Sequence, residues 1–173
     1  MRFGRKPAEQ EAQDGTDALT GLQSRRFFLR ALADTCNRAK NDSRVFALMI
    51  LDLDDFKSVN DDYGHLEGDI VLQRVSHILE KNCHRPDVVA RYGGDEFVIL
   101  IPDTSVAVAR RRVSSLWKTI SADPQLRERN ITASFGLACY PANGSTTEEL
   151  LQCADIDMYR SKRERNRTSD PGH

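Results

Sequence analysis

Three carboxylates stand where a chain seldom places charge. Asp52 closes the apolar run that begins at Val45. Asp95 and Glu96 follow two glycines in Arg91-Tyr-Gly-Gly-Asp-Glu-Phe97, between two apolar segments. Strand ends and hairpin tips carry side chains to solvent on a rigid scaffold. If the strand ending at Asp52 lies beside the hairpin, the carboxylates converge and repel one another unless a divalent cation neutralises them. Mg²⁺ takes oxygen ligands at about 2.0–2.1 Å and leaves positions open for phosphate oxygens. The plainer alternative, that Asp95 and Glu96 only decorate a solvated turn, stays open at this level.

The stretch from Asp52 to Asp69, DLDDFKSVNDDYGHLEGD, adds groups of matching chemistry. Lys57 lies one turn beyond the strand end, where a point charge reaches a terminal phosphate. The backbone N–H groups around Leu53 to Phe56 open a short helix and form an anion cradle. Asn60 and Asp69 flank a turn marked by Gly64 and Gly68. A carboxylate paired with a carboxamide accepts from N1–H and the N2 amino group of guanine. Adenine presents the opposite pattern and would leave a buried Asp unpaired, so such a site discriminates by roughly 10⁴ or more. Each residue also has an ordinary reading: a surface lysine for Lys57, turn chemistry and helix capping for Asn60 and Asp69.

The elements that must position these groups follow from periodicity. Ser24 is a candidate N-cap for a helix carrying Phe28, Leu32, Cys36 and Ala39. Val45 to Leu53 reads as a central strand covered on both faces. After the polar stretch, Val71, Val75, Ile78 and Leu79 mark a second long helix. Val88–Tyr92 and Phe97–Ile101 form a hairpin whose glycines supply a positive φ. A third helix carries Val106, Ala109, Val113, Leu116 and Ile120. Strict alternation from Ile131 to Cys139 gives a strand, and Thr146-x-x-Glu149 is a capping box opening a last helix with Leu150, Ala154 and Met158. This order gives one mixed sheet with helices on its faces. Asp54 would share Asp52's face on an ideal strand, but the chain is expected to be leaving the sheet there, so it is not counted as a ligand. Arg110, Arg111 and Arg112 read as a solvated face, and His65 beside Gly64 as structural.

The 173 residues are 39% hydrophobic and 29% charged with a net charge of −1, one ordinary soluble domain without a global field toward nucleic acid or membrane. No apolar run approaches the ~20 residues of a membrane span, and no secretory signal is visible. Residues 1–16 read as a linker or flexible lead-in, 17–167 as the domain and 168–173 as a disordered tail. The four cysteines form no CxxC, which speaks against structural zinc or a disulfide framework and suits a reducing cytoplasm.

Taken together, the motifs resemble a GGDEF domain of the diguanylate cyclase family. The resemblance rests on Asp17-Ala-Leu-Thr-Gly-Leu22 with Arg25-Arg26, Asp52-Leu-Asp-Asp-Phe-Lys57, Asn60-Asp61, Gly64-His65, Gly68-Asp69, Arg91–Phe97, Ser134-Phe-Gly136, Ala154-Asp155 and Met158-Tyr159 with Lys162. It implies a palm-like nucleotidyl-cyclase fold of the α/β (α+β) class. That fold has a central mixed, mainly antiparallel sheet of about five strands flanked by helices, plus a β-hairpin carrying GGDEF. It also implies a reaction in which two GTP become cyclic di-GMP and two pyrophosphates, at the interface of two facing domains that pair at least transiently. By the same resemblance Asp52 and Asp95 hold Mg²⁺ (or Mn²⁺) with help from the Leu53 carbonyl. Glu96 lies beside the metal and helps activate the 3′-hydroxyl, Asn60 and Asp69 read guanine, and Lys57 and Lys162 contact phosphates.

Two departures from the family pattern stand out. Where many members carry an inhibitory RxxD motif, this chain has His84-Arg-Pro-Asp87, and His is a poor substitute for a bidentate Arg. Weak or absent product inhibition is therefore expected. The family's Gly between the Lys and the final Arg-Asn-Arg is missing, because Glu164 runs straight into Arg165, whose register is thereby in doubt. The competing expectation is an idle GTP- or cyclic di-GMP-binding module of the same fold. The metal and turn residues favour the enzyme, and Asp69 disfavours an adenine-containing product. A cytoplasmic location is expected, without nucleic acid or membrane contact for this segment, and with an upstream sensor domain if the chain is a fragment.

Overall fold

The computed structural model describes residues 15–168. The expectations for the lead-in through residue 14, for the tail from 169 and for the Arg165 side chain fall outside the described residues. A five-stranded mixed sheet carries the chain. In chain order its strands are β1 (Gln23–Ser24), β2 (Phe46–Asp54), β3 (Val88–Arg91), β4 (Glu96–Pro102) and β5 (Thr132–Tyr140). Their spatial order is β1-β3-β4-β2-β5; β1 and β3 are parallel, and the other pairs are antiparallel. The helices are α1 (Arg25–Asp42), α2 (Phe56–Tyr63), α3 (His65–Asn82), α4 (Val106–Ala122), α5 (Pro124–Glu128) and α6 (Thr147–Thr168).

Strand β2 is apolar throughout because both of its faces are covered. Phe46, Leu48 and Ile50 pack with Phe28 and Leu32 of α1 and with Leu150, Ala154 and Met158 of α6. Ala47, Met49, Leu51 and Leu53 face Val71, Val75 and Leu79 of α3 and Ala109, Leu116 and Ile120 of α4. The local end signals act as expected. Ser24 Oγ accepts from Phe27 N–H at 3.3 Å. At α6, Thr146 Oγ1 accepts from Glu149 N–H while Glu149 Oε2 accepts from Thr146 N–H, both at 3.2 Å, the reciprocal pattern of a capping box.

Three readings change. Strand β2 does not end before Asp54; it pairs with β5 out to Asp54 opposite Thr132, so Asp54 stays in the sheet on Asp52's face. Arg112 is not part of a solvated face: its guanidinium turns inward to Asp87 Oδ2 at 2.5 Å. Neither Gly93 nor Gly94 has a positive φ, a conformation found at Gly21, Gly64 and Gly144 instead. A Cβ at Gly93 would lie 2.9 Å from Glu96 Oε2, so a side chain there would push the Glu96 carboxylate aside. All four cysteines are free. Among the described residues no helix is long and apolar enough to cross a membrane.

Candidate active site at the end of β2

Register places the carboxylates. Asp52 lies opposite Glu96 of β4 on one side and Ser134 of β5 on the other. Directly paired residues project to the same face, so Asp52 and Glu96 stand together on the α1/α6 side. The turn follows: Leu53 N–H donates to the Asp95 carbonyl at 3.3 Å, tying the hairpin tip to the strand end. Burial pushes the Asp52 carboxyl up. The hydrogen bond and charge of Lys162 pull it back, while Asp95 and Asp54 push it up again, and the result lies above the usual range. Glu96 is raised first by burial, then by Asp52, Asp95 and Asp155, against the pull of Arg25. Asp52, Asp95 and Glu96 thus share one electrostatic field, as converging carboxylates must.

The cation in contact with this field is Lys162, whose Nζ donates to Asp52 Oδ1 from the last turns of α6. Burial opposes its charge, but Asp52, with Asp54 and Asp95 behind it, holds its pKa above that of an ordinary lysine. Asp54 is itself anchored, accepting from Ser134 Oγ at 2.6 Å and Thr132 Oγ1 at 2.7 Å. Among the described residues no group of three His, Cys, Asp or Glu side chains is already drawn together around a metal-sized space. The donors on offer are all carboxylate or carbonyl oxygens, the set that suits a hard divalent cation.

Helices α2 and α3 form a wall on the other face of the sheet, beginning where β2 ends. Asp55, in the left-handed region at φ 58°, turns the chain out of β2 and gives α2 no side-chain cap, so the first-turn N–H groups at Phe56 and Lys57 are not closed off by it. Lys57 is exposed; Asn60 and Asp69 are half-buried. Gly64, at φ 87°, reverses the chain between the helices. Gly68 lets them close: a Cβ there would fall 2.1 Å from Asn60 Oδ1 and 3.2 Å from the Phe56 ring. The missing side chain therefore sets Asn60 beside the backbone that leads into Asp69. His84 and Asp87 are not part of this wall. They precede β3, at the opposite end of that strand from the Gly93-Gly94 turn, and Asp87 Oδ2 accepts from His84 N–H at 3.2 Å as well as from Arg112.

The family model for the diguanylate cyclase GGDEF domain matches residues 15–168. The chain belongs to this family. Its curated relatives include the bifunctional diguanylate cyclase/cyclic di-GMP phosphodiesterase MucR of Pseudomonas aeruginosa, 42% identical over 84% of this chain and 22% of that protein. The response regulator PleD of Caulobacter vibrioides is 37% identical over 85% of this chain and 34% of PleD. The chain thus spans about a fifth to a third of these two relatives. Among solved structures, the coiled coil and GGDEF domain of DgcB from Caulobacter crescentus, in complex with c-di-GMP, aligns with a TM-score of 0.82 at 30% identity. That alignment covers 91% of this chain and 85% of that one. The mixed sheet flanked by helices is the fold of these GGDEF structures.

Sequence reasoning overlooked three residues of this GGDEF domain. Asp54 belongs to the site because β2 runs on to pair with Thr132. Arg25, at the first position of α1, lies over the Tyr92 ring, 4.6 Å from its centroid, and counters the charge on Glu96. Arg91 is a motif residue whose guanidinium grips the turn carbonyls and Asp17. Both arginines belong to the quoted motifs, but Tyr92 under Arg25 and Asp17 beside Arg91 come from distant segments.

Proposed function

We propose that this GGDEF domain is a diguanylate cyclase, condensing two GTP into cyclic di-GMP and two pyrophosphates where two copies face each other. The observation that carries the reading is the shared field of Asp52, Asp95 and Glu96, closed on one side by Lys162, with Asn60 and Asp69 on the two helices that follow β2. Asp52, Asp95, Glu96 and the Leu53 carbonyl would hold Mg²⁺, with Mn²⁺ as a substitute; such an ion spreads the charge that gathers on the α-phosphate and the attacking oxygen. Lys57, Lys162 and the α2 amides at Phe56 take phosphate charge. Asn60 and Asp69 accept from the guanine edge. Glu96, beside the ion, would take the proton of the 3′-hydroxyl as its oxygen bonds to the α-phosphorus of the GTP on the facing copy, and pyrophosphate leaves. One site holds one nucleotide, so two copies supply both. GTP as substrate places the reaction on the cytoplasmic side.

The test is incubation of the 173-residue chain with GTP, ATP or both in the presence of Mg²⁺, with products identified by mass spectrometry. Cyclic di-GMP from GTP alone is expected, with a rate per mole of protein that rises with protein concentration. GTP bound but unconverted would make the domain an idle binding module, and an adenine-containing product would refute the guanine reading.

A second expectation concerns feedback. Asp87 is engaged by Arg112 and by the His84 amide, and His84 stands where the inhibitory motif needs an arginine. Micromolar cyclic di-GMP is expected to leave the initial rate unchanged. A micromolar inhibition constant that disappears in Asp87→Ala would show that a working product site is present.

A further inference from the structure

We propose that Arg91 is a positioning residue for the catalytic turn, and that Asp17 acts on the site through it. Arg91 ends β3 opposite Phe97. Its Nε donates to the carbonyls of Gly93 and Gly94, both at 3.2 Å, and its Nη2 donates to Gly94 O at 2.8 Å. On its other edge Nη1 meets Asp17 Oδ1 at 3.3 Å and Oδ2 at 3.4 Å. Asp17 is fixed in turn: its Oδ1 accepts from Thr20 N–H at 2.9 Å and Thr20 Oγ1 at 2.7 Å. Its own N–H donates to Leu22 O at 2.8 Å. One planar group therefore joins a turn ahead of α1 to the two glycines that precede Asp95 and Glu96.

Two adjacent glycines are the loosest dipeptide a chain can use. On the inner side of the turn, Tyr92 N–H and Gly93 N–H donate to Glu96 O at 2.8 and 3.3 Å. The two glycine carbonyls face outward, and the guanidinium is what orders them. Arg's rigid fork reaches both carbonyls and a carboxylate at once, whereas a Lys ammonium is a point. Releasing that grip lets the peptide planes at Gly93 and Gly94 rotate, and with them the direction of the Asp95 and Glu96 side chains. Misplacing reacting groups by about 1 Å costs about 10²-fold in rate.

The proposal rests on the cyclase reading for its kinetic arm. In Arg91→Gln, kcat is expected to fall about 10²-fold while KM for GTP moves less than about threefold, because Asn60 and Asp69 sit on other elements. Arg91→Lys falls between the two. Asp17→Asn lowers kcat about tenfold in the wild-type background and has little further effect in Arg91→Gln, as expected of two residues acting in series. A kcat within about threefold of wild type in Arg91→Gln, or an Asp17→Asn loss of equal size in both backgrounds, overturns it. Amide hydrogen exchange decides the matter independently of turnover. Exchange at Tyr92 and Gly93 is expected to be about tenfold faster in Arg91→Gln, with the β2 core amides unchanged. Unchanged exchange at the turn, or equal acceleration in the core, refutes the positioning role even if the wild-type chain converts no GTP, an outcome that would by itself refute only the cyclase reading.

Discussion

Replacing Glu96 by Gln is expected to lower cyclic di-GMP formation by about 10³-fold and, in metal-free buffer at neutral pH, to raise the melting temperature. Both effects have one cause. Burial raises Glu96 first, and the neighbouring charges of Asp52, Asp95 and Asp155 add to it. A carboxyl whose folded pKa lies above its unfolded value binds protons more tightly in the fold. Its ionisation therefore costs stability, a cost absent below the unfolded value of 4.5 and complete above the folded value. Gln copies the protonated shape without the charge, so it removes the repulsion that the wild-type chain bears at neutral pH. On the cyclase reading the same charge takes the 3′-hydroxyl proton, so removing it removes the step. The stability gain should vanish as the pH falls below about 4.5, where wild-type Glu96 is itself protonated. Thermal melts of both proteins across pH 4 to 8, alongside product assays, measure this. A melting temperature that falls in Glu96→Gln at neutral pH would mean that Glu96 is stabilised by its surroundings, and the shared field would have to be abandoned.

What the sequence makes legible is what is local. The apolar run into Asp52, the Ser24 cap and the Thr146/Glu149 box each act within a few residues, and each is present in the fold. Strand β1, two residues long, has no periodicity of its own and exists because β3 offers a parallel edge. Helix α5 is announced only by Asp123-Pro124; Asp123 Oδ1 caps it through Leu126 N–H at 3.2 Å while Oδ2 holds Arg74 at 2.6 Å. Asp54 illustrates the limit well. From sequence it is one more polar residue after a strand. Only the register against Thr132 and Ser134 shows that the strand runs on and that its carboxylate is anchored inside the sheet. The same holds for Arg112, whose partner Asp87 is 25 residues away. Side chains that meet across such separations leave no periodic trace, so Asp52, Asp95 and Glu96 are readable from sequence and the partners of Asp54 and Arg112 are not.

Gly136→Ala is expected to be the most destabilising single methyl addition in this chain. Gly136 lies in β5 opposite Ile50, directly under α6. A Cβ there would sit 1.9 Å from the Ala154 carbonyl oxygen, 2.6 Å from Met158 N and 2.8 Å from Met158 Cβ. Two of these three are backbone atoms in the middle of a helix, so no rotamer change relieves the clash, and α6 must lift off the sheet. Overpacking of this kind costs up to about 3 kcal/mol, which lowers the melting temperature of a chain this size by roughly 6–12 °C. The movement would also reach the site. Lys162 lies one helical turn beyond Met158 and holds Asp52 from there, so lifting α6 withdraws the ammonium and turnover should fall with stability. Gly94→Ala is the control for the melt, since nothing lies within 4 Å of a Cβ at that position. If Gly136→Ala melts within about 2 °C of wild type, less than 1 kcal/mol on this scale, then α6 is free to shift. The close seating of that helix on β5, and with it the placement of Lys162 against Asp52, would not be what fixes the site.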